Sequence, residues 1–167
     1  MTWEGAWPPH EVRLSRSRLV ELVALVRAFD GSDASDAHAA LARFLAIRSC
    51  GHIEFTFDEC ISQFANAKSH PMIAAHVRGG LFRGTNPRPQ SLIDRTRKLS
   101  SEWANELESY LHDGDKLVWR ELSFLVDRRN SISHGQNEGL GVRKSLDLAN
   151  IALDVGDWIT SMINPTQ

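Results

Sequence analysis

The sequence predicts an all-α fold, a bundle of about five to six helices, on three observations. Strand-favouring clusters of Val, Ile, Thr and Tyr are scarce, and the 167 residues include one Tyr. Leu, Ala, Arg, Glu and Ser dominate instead, most of them good helix formers. Apolar residues recur at i, i+3, i+4 and i+7 along several stretches, the spacing that gives a helix one buried face. With mostly short connections between those stretches, the helices must pack as a bundle.

Residues 1–13 are expected to form an N-terminal arm and 14–167 a single helical domain, with no internal repeat or linker. The start of the arm is irregular because Pro8-Pro9 blocks regular pairing, and Trp3 and Trp7 are expected to pin it to the body. A first helix is predicted from Leu14 to Phe29, with Leu19, Leu22, Val23, Val26 and Phe29 on one face. Asp30-Gly31-Ser32 ends it, and Asp33 or Ser35 can cap the next. That second helix, about 35–66, carries Leu41, Phe44, Leu45, Arg48, His52 and Phe55 on one stripe, and Gly51 is a place where it can kink. Ser69-His70-Pro71 opens a shorter helix reaching about Phe82. The stretch from Gly79 to Pro89 holds three Gly and two Pro and reads as a connection.

A further helix is predicted over 89–112, marked by Leu92, Leu99, Trp103, Leu107 and Leu111. His112-Asp113-Gly114-Asp115 breaks it. The next spans Asp115 to His134 and stops at Gly135, which suits a left-handed cap. After the turn Gln136-Asn137-Glu138-Gly139, the last helix covers about 142–163, with Leu148, Ile151, Ala152, Val155, Trp158, Ile159 and Met162 as its stripe.

Composition narrows the function. A formal net charge of -2 argues against wholesale coating of nucleic acid but leaves room for a local basic patch. Cys50 and Cys60 have no CxxC spacing and no secretory signal before them, so they read as reduced, buried thiols of a cytoplasmic protein. No apolar run approaches the roughly 20 residues of a membrane span. There is no P-loop, GxGxxG, GxSxG or HExxH. Cys50-Gly51-His52 and Cys60 lack any zinc-finger or ribbon spacing, so neither a metal nor a cofactor is expected. Glu106 and Glu108 sit on what should be a solvated face.

The segment that stands out is Arg129-Asn130-Ser131-Ile132-Ser133-His134. The stripe of the helix that carries it reads Val118, Leu122, Leu125, Arg129, Ile132, so an arginine takes a seam position. A charge there is expensive unless it is paired or meets an anionic ligand. His134 lies at the helix C-terminus, where free carbonyls favour the protonated imidazole. Asn130, four residues before His134, can share its face, and Ser131 and Ser133 add hydroxyls. Against catalysis, an Arg near a helix end is usually solvated and a His beside Gly is often only a helix stop. Five residues also turn a helix by about 500°, leaving Arg129 and His134 roughly 140° apart. Either the last turn bends, or a second copy of the segment completes the site.

The run Leu125-Val126-Asp127-Arg128-Arg129-Asn130-Ser131-Ile132-Ser133-His134-Gly135 resembles the signature of HEPN domains, an Arg followed after a few residues by His. Asn directly after the Arg is typical of the ribonuclease members. Ala42-Arg43-Phe44-Leu45-Ala46-Ile47-Arg48-Ser49-Cys50-Gly51-His52-Ile53-Glu54 and Gly84-Thr85-Asn86-Pro87-Arg88-Pro89-Gln90 resemble the RiboL-PSP-HEPN subgroup. The resemblance covers about residues 35–160. It implies a HEPN-type helical bundle, a homodimer, and a metal-independent endoribonuclease acting as a toxin in a toxin–antitoxin or phage-defence system. The motifs of two protomers would meet in a cleft at the dimer interface, which answers the 140° objection.

By the same resemblance, Arg129 would bind the scissile phosphate, His134 would be general acid or base, and Asn130 would orient His134 or hydrogen-bond phosphate. Arg48, Ser131, Ser133 and Arg95 are the expected substrate-binding residues. For Arg48 the competing reading is a buried Arg paired to Glu54, Glu121 or Asp127. Residues 78–98 carry Arg78, Arg83, Arg88, Arg95, Arg97 and Lys98 against the single acid Asp94, and read either as a basic rim for RNA or as a solvated face. An operon-encoded antitoxin is a further expected partner. In HEPN toxins controlled by nucleotidylation a Tyr lies two residues after the motif His; here that residue is Gln136, so an antitoxin of that type is not expected. The rival reading is a catalytically silent HEPN domain that binds RNA, a nucleotide or a partner protein.

Overall fold

α1 (His10–Ala28) starts directly after Pro9 and buries Val12, Leu19, Val23 and Val26 on one stripe. It is followed by α2 (Ser35–Lys68), α3 (Pro71–Arg78), α4 (Pro89–Arg97), α5 (Ser101–Ser133) and α6 (Val142–Met162). A computed structural model describes residues 5–29, 35–136 and 139–166; among them there are these six helices and no strand, an all-α bundle. Trp3 and Asp33, expected to anchor the arm and cap α2, lie outside the described residues, as does the Ser35 side chain and the centre of the 136–139 turn. Trp7 does hold the arm: its Nε1 donates to Thr160 O at 2.7 Å.

α2 is the central element, packed against α6, α1, α5 and α3, while α4 lies on α5. Its buried surface is wider than one stripe and includes Ala42, Leu45, Ala46, Cys50, Ile53, Phe57, Cys60 and Ile61. Phe44, expected on the buried stripe, is 50% exposed, and Arg48 is exposed with it. Leu45 and His52 of the expected stripe are buried and Leu41 and Phe55 half-buried, so the spacing misplaced Phe44 and Arg48, because a helix packed on several sides buries small residues such as Ala42 and Ala46 as well as large ones. The backbone stays helical through Gly51. At the α2–α6 crossing, a Cβ on Gly156 would stand 2.8 Å from His52 Nε2, so glycine is what lets the two helices come this close.

Three boundaries differ from expectation, the first being that of α1, which starts at His10 inside the expected 1–13 arm rather than at Leu14. The helix expected over 89–112 is two helices, because Ser100 adopts extended backbone and its hydroxyl accepts from Trp103 N at 3.2 Å, capping α5. A good cap overrides continuous apolar spacing. The helix expected to reach Phe82 ends at Arg78, before Gly79-Gly80. The break after His112 falls where the sequence places it: Asp113 to Lys116 leave helical geometry, with Gly114, Asp115 and Lys116 all at positive φ. No helix among the described residues is long and apolar enough to cross a membrane.

Candidate active site at the end of the fifth helix

Leu122, Leu125 and Val126 are fully buried and anchor the second half of α5 in the core. Arg129 takes the next seam position and is half-buried. Among the described residues no carboxylate lies in ion-pair range of its guanidinium. Its Nη1 donates instead to Asn130 Oδ1 at 3.3 Å. The same oxygen accepts from Asn86 Nδ2 at 3.0 Å. Asn86 belongs to the loop before α4, and that loop is pinned to α5 a second time by the Arg88–Asp127 ion pair at 2.5 Å. Asp127 and Asn130 are three apart and share a face of the helix. Pro87 and Pro89 are buried on either side of Arg88, and Arg88 N donates to Asn86 O at 2.8 Å, which stiffens the segment.

The start of the loop is held by Asp58 of α2. This carboxylate is 1% exposed, accepts from Phe82 N at 2.7 Å and pairs with Arg95 of α4. The Arg95 guanidinium also lies over the Phe57 ring, 4.6 Å from its centroid. Glu54, one turn before Asp58, is half-buried, and its carboxyl is held above the ordinary carboxylate range, first by burial and then by Asp58. Arg129 and Arg95 oppose that rise. The Cys50 thiol is pushed up to about 12, mainly by burial, again with Arg129 opposing. Cys50 and Glu54 are one turn apart, so Arg129 stands over that strip of α2.

At the end of α5 the chain closes with two bonds, Gly135 N to Ile132 O and Gln136 N to Ser131 O, each 3.0 Å, with Gly135 at φ 75°. His134 N still bonds Asn130 O at 3.0 Å, so the last turn does not bend. Arg129 and His134 therefore remain on different faces of one helix. The His134 side chain is exposed, with no hydrogen bond or ion pair among the described residues. Ser131 is half-buried and Ser133 exposed.

The remaining expected site residues are distributed unevenly. Arg48 is two residues from Cys50 and thus about 160° away around α2, on the side that carries His52 rather than the side under Arg129. It is not the buried, paired arginine of the competing reading: Asp127 pairs with Arg88, Glu121 with Lys144 at 2.5 Å, and Glu54 sits within the field of Arg129. Arg95, with its side chain 17% exposed, is committed to Asp58. One chain thus brings together Arg129, Asn130, Asn86 and Glu54, and does not bring Arg48, Arg95 or the His134 ring to them. Asn86 and Glu54 stood in the two segments that resemble the subgroup, yet residue type alone gave Asn86 no role and Glu54 only that of a candidate partner for Arg48.

A helical bundle that ends its fifth helix on an Arg-Asn pair and a His defines a HEPN domain. More narrowly, the chain belongs to the RiboL-PSP-HEPN family, whose model matches residues 14–164. Neither a curated protein nor a solved structure gives a match. Membership supports a nuclease or RNA-binding role.

Proposed function

We propose that this protein is a metal-independent endoribonuclease that acts as a homodimer and serves as the toxin of a toxin–antitoxin or phage-defence system. The observation that carries the reading is Arg129: a half-buried guanidinium on the seam of α5, without a carboxylate in ion-pair range among the described residues, its neighbour Asn130 braced from a second element. A cation placed this way suits a phosphate ligand, which would supply the missing anion. The exposed His134 ring, on another face of the same helix, is free to serve the partner's Arg129 across a two-fold axis, as isologous contact makes natural.

In the reaction the RNA 2'-hydroxyl attacks the adjacent phosphorus and the bond to the 5'-oxygen breaks. His134 takes the hydroxyl proton or gives a proton to the leaving oxygen. Arg129 stabilises the charge that builds on the phosphoryl oxygens. The products are a 2',3'-cyclic phosphate and a 5'-hydroxyl, and DNA, lacking the nucleophile, is not cut.

Mixing two inactive variants tests both the activity and the shared site. Arg129→Ala and His134→Ala should each fail to cut RNA in EDTA. Mixed and allowed to exchange subunits, they should recover about a quarter of wild-type activity, since half the dimers are mixed and each then has one intact Arg/His pair. No recovery in verified mixed dimers would place the site within one chain. Cleavage persisting in an Arg129→Ala, His134→Ala double variant would refute the nuclease reading.

A further inference from the structure

We propose that Asn86 is a positioning residue for this site: with Arg129 it fixes Asn130 so that the Asn130 amide offers its NH2 group, and not its carbonyl oxygen, to a bound phosphate. The inference rests on the ribonuclease reading above and goes beyond it by naming which atom of Asn130 does the work and what holds it.

The orientation follows from donor and acceptor chemistry. A guanidinium has donors only, so the Asn130 atom 3.3 Å from Arg129 Nη1 is the oxygen. The Asn86 atom 3.0 Å from that same oxygen must then be its nitrogen. This leaves Asn86 Oδ1 turned the other way, where it is buried and has no hydrogen-bond partner. The opposite arrangement would give Asn86 Oδ1 an Asn130 N–H donor, but would set that NH2 group against Arg129, donor facing donor. Arg129, Asn130 and Asn86 therefore act as one hydrogen-bonded unit, in which the unsatisfied Asn86 oxygen accompanies the chosen orientation.

The consequence lies at Asn130 Nδ2. With its oxygen occupied twice, Asn130 presents two N–H donors away from the unit, beside the Arg129 guanidinium. Neighbouring donors of this kind suit the non-bridging oxygens of a phosphodiester and disfavour any role for Asn130 as an acceptor. Asn86 can brace the amide because its loop is fixed at both ends of the segment, by Arg88 to Asp127 on α5 and by Phe82 N to Asp58 on α2.

The test is single-turnover RNA cleavage and KM measurement for the wild type, Asn86→Ala, Asn86→Asp, Asn130→Ala and Asn130→Asp, with thermal unfolding of each. Asn86→Ala should lower kcat about tenfold to a hundredfold with KM changed far less, the pattern of a misplaced group rather than a lost binding contact. Asn86→Asp keeps the shape but turns the donor into an acceptor, so it should lose more than Asn86→Ala. Asn130→Asp keeps an inward oxygen but replaces the outward NH2 with a charged acceptor that repels phosphate, so it should be at least as inactive as Asn130→Ala. Cleavage by Asn86→Ala within twofold of wild type, or an active Asn130→Asp, overturns the proposal while leaving the nuclease reading intact. A wild type that does not cleave fails the nuclease reading instead. Binding of a single-stranded RNA oligonucleotide should follow KM: Asn86→Ala binds within a few fold of wild type, and a loss of binding as large as the loss in kcat overturns the positioning role.

Discussion

Acid should destabilise this fold through His52. The ring is 3% exposed at the meeting of α1, α2 and α6, with Nδ1 2.9 Å from Ser15 Oγ and 3.4 Å from Thr56 Oγ1. Nε2 has no hydrogen-bond partner and faces Gly156. Burial lowers its pKa from 6.5 to about 4; Asp157 works against the drop, and Arg16 and Arg48 add to it. Because the folded value lies below the unfolded one, the native state binds fewer protons. The stability is fully present above about pH 6.5 and is lost as pH falls through about 4. That window spans about 2.5 pH units at about 1.4 kcal/mol each, so about 3 kcal/mol should disappear. Urea unfolding of the wild type and His52→Asn, from pH 7.5 to 4 at one protein concentration and ionic strength, isolates this contribution. The variant should be weaker at neutral pH, from the space left by the ring, but the gap between the two should narrow as pH falls. Parallel stability curves, or a His52 imidazole titrating near 6.5 by NMR, would refute the reasoning.

Gly156→Ala should cost about 1–3 kcal/mol in urea unfolding, because its methyl meets a buried ring that has little room to move. Asp58→Ala should be among the most damaging single changes, about 3–5 kcal/mol, since it strips a shielded guanidinium of its partner and Phe82 N of its acceptor; a melting temperature like the wild type's would contradict this. Lys116→Gly should instead raise stability by about 0.5–1 kcal/mol, because Lys116 is exposed at φ 61°, a left-handed conformation that glycine adopts without strain.

What could be read from the sequence was what local chemistry decides. The break at Asp113-Gly114, the stop at Gly135 and the stripe of α6 depend on residues within a turn or two of one another, and each falls where expected. The seam position of Arg129 was readable for the same reason. What could not be read depends on distant partners. Asn86 and Asn130 are 44 residues apart, and Arg95 reaches Asp58 across 37. Nothing in an asparagine's neighbours says which other asparagine it will meet. Arg48 was misjudged because apolar spacing could not tell which side of a helix packed against several others is left open. The division between α4 and α5 was signalled by Ser100, but the apolar series Leu92, Leu99, Trp103 masked the cap.

The same distinction sorts the cations expected to meet RNA. In the stretch 78–98, Arg78 donates to Asn66 Oδ1 at 2.7 Å, Arg83 to Gly79 O, Arg88 to Asp127, Arg95 to Asp58 and Arg97 to Glu108 at 3.1 Å. Counted from sequence this is a basic rim; in the fold most of it is engaged with the protein's own acceptors. Exposed pairs such as Arg97–Glu108 are worth about 0–1 kcal/mol and give way readily to a phosphate, whereas Arg95 is held against a buried carboxylate and does not. Arg129, like Arg78 and Arg83, bonds a neutral acceptor, but those two are exposed and Arg129 is half-buried on the α5 seam. Its nearby acid, Glu54, acts on it only at a distance: the two interact electrostatically but form no ion pair among the described residues. For a chain of net charge -2, attraction for RNA then has to be concentrated rather than spread. Two copies of the Arg129 unit facing one another across a two-fold axis would supply that concentration, and would set each exposed His134 near a guanidinium that its own helix keeps out of reach.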